Sequence, residues 1–278
     1  IQERAEAEGM LFPLDLGARG SCQIGGNLAT NAGGNRVIRY GMTRDNVLGL
    51  EAVLADGRVL SSMNRMLKNN AGYDLKHLFI GTERTLGVVT RLVLRLREAP
   101  ASENTAMVAC ADFDAVTALL RQVDRGLGGA LSAFEVMWGE YFDAVTAEHT
   151  GVRPPLPRGG AFYVLVEALG GDPERDAAQF ADTLAATLEA GSAADVVIAQ
   201  SDTQAKSLWA VRDGVEHIVA LGNPYIFDVS LAIGDMRGYV DSVRARLRER
   251  YPEGRCFTFG HLGDGNLHFA ILVGDDGE

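Results

Sequence analysis

The sequence lacks the features that mark secreted and membrane-spanning proteins. Its three cysteines, Cys22, Cys110 and Cys256, are odd in number and widely spaced, so we expect no disulfide framework and a reducing, cytoplasmic compartment. No apolar run approaches the roughly 20 residues that cross a bilayer. The first residues are acidic rather than basic and are not followed by an apolar run. We therefore predict neither membrane insertion nor a secretory signal.

Basic residues and common nucleotide motifs are also scarce. Lys and Arg total 26 against 37 Asp and Glu, for a formal net charge of -11, which disfavours nucleic acid because phosphate binding depends on basic side chains. No Gly-x-Gly-x-x-Gly opens a helix after a strand, and no Walker Gly-Lys-Ser/Thr occurs. Nicotinamide and ATP sites of these types are excluded, and an anionic ligand would need a local basic spot.

The length and the periodicity of apolar residues indicate two domains. At 278 residues with 47% hydrophobic content, the chain can bury more than one core, and we place a boundary near Pro100. Strands are expected at 47–54 and 87–96 in the first part, and helices alternate with strands in the second. This order predicts an α+β fold in which helices pack on a largely antiparallel sheet.

The second part carries four helical stripes and five strand-like runs. Asp112 is a candidate N-cap for the first helix, and one continuous helix is expected through residues 208–219. The remaining predictions are helices centred on residues 177–188 and 236–247, and strands at 161–169, 195–200, 225–231, 256–259 and 267–273.

A glycine-rich segment stands out in the first part. Gly25-Gly26-Asn27 and Asn31-Ala32-Gly33-Gly34 surround paired glycines with small and amide side chains, which lets a ligand come close to the backbone N–H groups. The same residues could equally form two tight turns in a β-rich domain. Residue types alone leave both interpretations open.

Polar groups in the second part suggest a site. HLGDGNLH at residues 261–268 joins two strand-like runs, which would bring His261 and His268 close enough to share a divalent metal. The alternative is a hairpin with an Asp-Gly turn and two ordinary histidines. Arg212 lies beside the apolar stripe of its helix, where it could pair with a carboxylate or simply extend from the edge of the core.

Taken together, the motifs at 22–34, 39–41, 50–57, 81–90 and 261–268 closely resemble FAD-linked oxidases of the vanillyl-alcohol-oxidase type. The resemblance is strongest to the branch that contains D-lactate and D-2-hydroxyglutarate dehydrogenases and a glycolate oxidase subunit. It implies a partial FAD-binding domain at residues 1–99, followed by an α+β substrate-binding cap domain at 100–278. The flavin contacts that it implies are Gly25, Gly26, Asn27, Thr30, Asn31, Gly33, Gly34, Tyr40, Gly41, Glu83, Gly87 and Val89.

The resemblance also implies a reaction. A D-2-hydroxy acid of the lactate, glycolate or 2-hydroxyglutarate type would be oxidised to the 2-oxo acid by hydride transfer to flavin. Arg212 would hold the substrate carboxylate, Asn266 would point at the substrate, and His261 and His268 would bind zinc or a similar ion that lowers the pKa of the hydroxyl. The electron acceptor is left open, and a homodimer is one option for the assembly.

Four departures from the family pattern bear on this expectation. Arg84 stands where glycine is usual, and Glu216 and Ile226 replace the Thr and Lys of relatives that accept dicarboxylates, which argues against assuming 2-hydroxyglutarate. The pyrophosphate loop of the family lies upstream of the matching region, and a third metal ligand, a carboxylate, would lie beyond Glu278. The alternative is a truncated, non-catalytic module that does not retain FAD.

Overall fold

The computed structural model describes residues 1–274, so the last four residues of the predicted second domain, 275–278, lie outside the described part. The chain divides into two compact units, Ile1–Pro100 and Ala101–Glu278.

The first unit is built on a small antiparallel sheet. Its central strand is flanked by two partners in the order β3-β2-β4, and a separate pair, β1-β5, joins the beginning of the unit to its end. Leu28, Leu50, Ala52 and Phe79 form the middle of a modest core. The elements are α1 (Gln2–Glu6), β1 (Met10–Leu11), α2 (Ile24–Ala29), α3 (Val37–Tyr40), β2 (Val47–Val53), β3 (Val59–Ser62), α4 (Lys76–Phe79), β4 (Val88–Leu94) and β5 (Arg97–Glu98).

The two glycine pairs of this unit differ in structure. Gly25 and Gly26 lie inside helix α2, which begins after the extended residue Gln23 and buries Leu28. The interpretation of this first pair as a tight turn is therefore wrong. Gly34, in contrast, lies in a loop with φ +121°, a backbone conformation that residues with a side chain rarely adopt.

The second unit is a seven-stranded sheet with helices packed on it. The strand order is β10-β12-β11-β7-β8-β6-β9, and every pairing is antiparallel. The predicted α+β fold with a largely antiparallel sheet is thus confirmed. The elements are β6 (Ser102–Cys110), α5 (Phe113–Gly126), β7 (Leu131–Trp138), α6 (Gly139–Val145), β8 (Phe162–Gly170), α7 (Pro173–Glu189), β9 (Asp195–Ile198), α8 (Asp202–Asp213), α9 (Val215–Val219), β10 (Tyr225–Ser230), α10 (Ile233–Arg250), β11 (Arg255–Gly260) and β12 (Asn266–Leu272).

Alternation of side chains along the central strands supplies two apolar faces. Met107, Met137 and Leu165 belong to a core with side chains of α6, α8 and α9. Their neighbours along the strands point the opposite way, toward the side on which α5 and α7 contact the sheet and each other. As a result every residue of β7 is buried.

Three elements of this unit have no counterpart among the predicted ones, and one predicted helix is broken. Strands β6 and β7 and helix α6 were not expected; β7 shows no alternation because both of its faces are covered. The expected helix through 208–219 divides at Gly214, which ends α8 and begins α9. A Cβ at Gly214 would lie 2.6 Å from Val145, so this close packing excludes a side chain.

Within residues 1–274, none of the helices is long and apolar enough to cross a membrane.

Candidate functional site

In the first unit, the glycine helix lines a small open cavity. The cavity has a volume of about 210 Å³, less than the roughly 300 Å³ of the smallest common ligand pockets, so it suits part of a dinucleotide rather than a whole one. Gly25 and Gly26 face open space, with nothing within 4 Å of where a Cβ would be. A flat ligand can therefore approach the helix backbone closely. The lining residues are Gln23, Gly25, Gly26, Leu28, Ala29, Phe79, Thr82, Arg84, Gly87, Val88 and Val89.

The residues predicted to contact flavin fall into two groups. Gly25, Gly26, Gly87 and Val89 line the cavity. The others lie outside this lining, and several of them have structural contacts instead: Asn27, Thr30, Asn31, Gly33, Gly34, Tyr40, Gly41 and Glu83. The open glycine backbone and the apolar floor fit an aromatic ring system such as that of flavin.

Contacts within the loop explain some of the second group. The Asn31 side chain accepts a hydrogen bond from the Arg44 backbone N–H at 3.0 Å, and the Tyr40 carbonyl accepts one from the Asn46 amide. A Cβ at Gly34 would lie 2.0 Å from the carbonyl oxygen of Asp15. These residues shape the loop, whether or not they also contact a ligand.

Arg84 occupies its position with a left-handed backbone. Its φ is +72° and that of Glu83 is +49°, so two consecutive residues with side chains adopt the conformation that glycine takes most easily. Arg84 therefore adopts a conformation that suits glycine, and it also lines the cavity.

In the second unit, Arg212 is buried and paired. The residue is 7% exposed, and its Nε donates to Oε2 of Glu135 at 2.7 Å. Glu135 lies on β7 and is itself 1% exposed. The hydroxyl of Tyr141 donates to the Arg212 carbonyl at 2.7 Å, and the guanidinium carbon lies 5.5 Å from the centroid of the Phe259 ring. Arg212 thus does not extend to solvent from the edge of the core, as one interpretation had it.

The two histidines come together as expected. His261 directly follows β11, His268 is the third residue of β12, and a short 3₁₀ turn with Gly265 at φ +89° connects the two strands. The ring centroids are 5.2 Å apart with the planes nearly perpendicular. His261 Nδ1 contacts Oε1 of Glu135 at 2.8 Å, and His268 Nδ1 contacts Oδ2 of Asp228 at 3.3 Å.

A carboxylate therefore faces Nδ1 of each imidazole. When a carboxylate accepts from Nδ1–H, the lone pair of a neutral imidazole is on Nε2. The Arg212 Nη2 lies 3.3 Å and 3.2 Å from the two nitrogens of His261, nearly equal distances that place it over the ring rather than in the ring plane. If Glu135 accepts from His261 Nδ1–H, the lone pair of a neutral His261 is on Nε2 and points away from that carboxylate.

Asn266 shares Asp228 with His268. Its amide Nδ2 donates to Oδ1 of Asp228 and lies 3.4 Å from the Val229 carbonyl, across the β10-β12 pairing that aligns Asn266 with Ser230. The amide that was expected to point at a substrate is therefore held by a neighbouring strand.

Two pKa shifts describe the electrostatics of this cluster. Burial alone would raise the pKa of Glu135, but the charges of Arg212 and His261 and their hydrogen bonds lower it to about 2. Burial, together with the nearby His261 and Arg212, lowers the pKa of His268 to about 4. Glu135 is therefore ionised and His268 neutral at neutral pH.

The fit to a metal is partial. Among residues 1–274, no group of three or more His, Cys, Asp or Glu side chains is arranged to hold an ion. Catalytic zinc sites have three protein ligands, and His261 and His268 supply two imidazoles. The described residues therefore supply two of the three ligands that such a site needs.

Glu135 and Asp228 were not among the residues predicted to form the site. Each is a single acidic residue in an apolar strand, LSAFEVMW for β7 and YIFDVS for β10. An isolated acidic residue in an apolar strand indicates either a solvent-exposed side chain or a buried ion pair. The sequence therefore contained a signal for both residues.

Comparison with known proteins identifies relatives along the whole chain. A family model of FAD linked oxidases, C-terminal domain, matches residues 99–278, and a model of the FAD binding domain matches residues 1–62. The chain is 43% identical over 271 residues to "D-2-hydroxyglutarate dehydrogenase, mitochondrial" of Arabidopsis thaliana, a match that covers 97% of this chain and 48% of that protein. It is 40% identical over 275 residues to the D-2-hydroxyglutarate dehydrogenase of Xanthomonas citri pv. viticola, covering 99% of this chain and 57% of that protein.

A solved structure shares the fold. Alkyldihydroxyacetonephosphate synthase superposes with a TM-score of 0.72 over 97% of this chain and 55% of its own, at 16% sequence identity. At this identity the likeness concerns the fold alone. The chain spans about half the length of the curated relatives that it matches, 48% in the Arabidopsis protein. The sequence resemblance is confirmed by these matches, and the chain belongs to the family of FAD-linked oxidases.

Proposed function

We propose that this chain forms part of an FAD-dependent dehydrogenase that oxidises a D-2-hydroxy acid to the 2-oxo acid. The observation that carries the proposal is the cluster of Arg212, His261, His268 and Asn266 on adjoining elements of one unit. The names of the relatives, D-2-hydroxyglutarate dehydrogenases, support the same chemistry. Bound flavin would accept the hydride from the substrate. The side chains of this protein would bind and orient the substrate.

Arg212 is suited to the substrate carboxylate. Glu135 holds its Nε at 2.7 Å. Nη1 lies 3.3 Å from the surface residue Asp213, and Nη2 lies 3.3 Å and 3.2 Å from the nitrogens of His261. The edge formed by Nη1 and Nη2 could therefore exchange these weaker contacts for a bidentate pair with a carboxylate. Burial would strengthen this pair by limiting its exposure to water.

We further propose His261 and His268 as two ligands of a divalent cation, with zinc as the first ion to test. Their Nε2 lone pairs and the neutral state of His268 suit this role. Such an ion would supply Lewis-acid chemistry at the substrate hydroxyl. Lactate, glycolate and 2-hydroxyglutarate all share the hydroxyl and carboxylate that this cluster would recognise.

The test uses the full-length gene product. We expect a flavin absorbance spectrum that is bleached anaerobically by at least one of D-lactate, glycolate and D-2-hydroxyglutarate, and not by L-lactate or L-2-hydroxyglutarate. Arg212→Ala should lower kcat/KM by roughly 100-fold with the flavin retained, because an ionic hydrogen-bond pair is lost. Arg244→Ala is the matched control, since Arg244 pairs with Glu140 through two 3.0 Å contacts elsewhere in the unit.

Two results would contradict the proposal. A protein that takes up no FAD, or whose flavin none of the three acids reduces, is not a dehydrogenase of this class. The metal content of the same preparation tests the cation separately, because full activity in a protein free of divalent metal would remove only that part.

A further inference from the structure

We infer that Glu135 is a positioning residue that holds Arg212 and His261 in a single arrangement through the two oxygens of one buried carboxylate. Oε2 accepts from Arg212 Nε at 2.7 Å, and Oε1 contacts His261 Nδ1 at 2.8 Å. The inference rests on the proposed function, because it concerns how two proposed site residues are held. None of the sequence motifs that carry the family resemblance contains Glu135.

The location of Glu135 makes it a rigid support. Strand β7 is buried at every residue and lies between β11 and β8 in the sheet. Its partner β11 ends at Gly260, paired with Val136, so His261 emerges beside Glu135. Arg212 reaches the same carboxylate from the last turn of α8. The carboxylate thereby joins three elements at one point.

Each contact has a chemical consequence. When the Glu135 carboxylate accepts from His261 Nδ1–H, it selects the tautomer whose lone pair is on Nε2. That nitrogen is then the one that could bind a ligand. Engagement of Arg212 at Nε leaves the Nη1 and Nη2 edge for bidentate binding. Without the carboxylate, a buried guanidinium would lose its counter-charge, and either group could rotate away.

A second buried carboxylate in the same sheet provides a control. Glu167 on β8 is fully buried, and its oxygens accept from the Ser132 hydroxyl at 2.7 Å and the Trp209 indole N–H at 3.2 Å. Like Glu135, it connects the sheet to helix α8. Neither of these two hydrogen bonds involves Arg212 or the two histidines, so we expect its loss to affect stability more than the site.

The experiment compares Glu135→Gln, Glu135→Asp and Glu167→Gln in the full-length protein. For Glu135→Gln we expect a loss in kcat/KM of roughly 10- to 100-fold with flavin content unchanged, the range found for residues that orient site groups. Because the Arg212 edge is disturbed, KM for the 2-hydroxy acid should rise as well. Glu135→Asp, which keeps the charge, should recover part of the loss. Glu167→Gln should keep kcat and KM near the wild-type values.

A spectroscopic measurement tests the inference independently of turnover. In protein with ¹⁵N-labelled histidine, we expect the metal-free wild type to show His261 as the Nδ1–H tautomer, and Glu135→Gln to show a mixture. Glu167→Gln should retain the wild-type tautomer even if its melting temperature falls. If the Gln variant of Glu135 does not fold, the Asp variant provides the comparison, with a smaller shift in both measurements.

Three outcomes would overturn the inference. One is a Glu135→Gln protein whose kinetic loss is no greater than that of Glu167→Gln. Another is a His261 tautomer that is the same with and without the Glu135 carboxylate. The third is a Glu135→Asp protein that recovers none of the activity lost in Glu135→Gln, when both variants are folded. Should no 2-hydroxy acid reduce the wild-type flavin, the proposed function fails, while the tautomer comparison still decides the role of Glu135.

Discussion

Within the glycine-rich segment, individual glycines differ in whether the fold itself excludes a side chain. Gly25 sits in helix α2 with open space beside it, so the fold itself would accept an alanine. Gly34 has φ +121° and would place a Cβ 2.0 Å from the Asp15 carbonyl oxygen, so the fold would not. The backbone itself therefore requires glycine at Gly34, whereas at Gly25 we propose that a ligand does.

We predict opposite effects for the two alanine variants. Gly25→Ala should leave the free energy of unfolding unchanged or raise it by up to about 1 kcal/mol, since alanine favours helix. It should weaken FAD binding, because the methyl group enters the cavity. Gly34→Ala should lower the free energy of unfolding by about 1 kcal/mol or more through strain and collision.

The measurements are urea unfolding without flavin and FAD titration followed by fluorescence. A Gly25→Ala protein that binds FAD as tightly as the wild type would show that flavin does not lie against helix α2. Equal destabilisation by both substitutions would contradict the distinction between the two glycines.

At the scale of elements, local sequence signals predicted an element correctly where one of its faces is polar. Helix α5 begins after Asp112, whose side chain accepts from the Ala115 backbone N–H at 2.8 Å, so the predicted N-cap is confirmed. Strand β7 was missed because burial on both faces removes the alternation on which a strand prediction depends. The break at Gly214 was missed because the apolar stripe continues on both sides of it.

The cap of α5 can be tested by substitution. Asp112→Ala should lower the free energy of unfolding by about 1 kcal/mol, because one N–H at the helix start loses its partner. Asp124→Ala, at an exposed position farther along the same helix, serves as the control and should change it by less than about 0.5 kcal/mol. Chemical denaturation gives both values, and a cap effect no larger than the control would mean that water replaces the Asp112 side chain.

At the scale of the whole molecule, the two units differ in how well they bury apolar side chains. The second has a continuous sheet of seven strands, with fully buried side chains such as Tyr141, Phe142 and Tyr163. The first has a smaller core around Leu50, and both units expose large apolar residues, such as Leu67 and Tyr73 in the first and Ile226 and Phe227 in the second. Larger buried cores support independent folding better than small ones.

We therefore expect residues 101–278 to fold when expressed alone. The fragment should show one cooperative thermal transition and a near-ultraviolet circular dichroism spectrum typical of packed aromatic residues. Residues 1–100, expressed in the same way, are the comparison and should be less stable or should aggregate. A second-unit fragment with no cooperative transition would show that its sheet depends on residues outside it.

The sequence by itself determined the family, the α+β class and the residues that carry recognisable chemistry. The segment HLGDGNLH predicts a site because it places two histidines and an asparagine at a particular spacing, and spacing along the chain needs no tertiary information. The pairing of His261 with His268 followed from two strands joined by a short turn, which is a local property.

Only the tertiary structure decided which groups hold that chemistry in place. Glu135 is 77 residues from Arg212 and 126 from His261 along the chain, yet its carboxylate contacts both. Likewise Asp228 meets Asn266 and His268 through strand pairing. Glu135 has no preferred partner until folding removes it from water, because burial is what makes an unpaired charge costly.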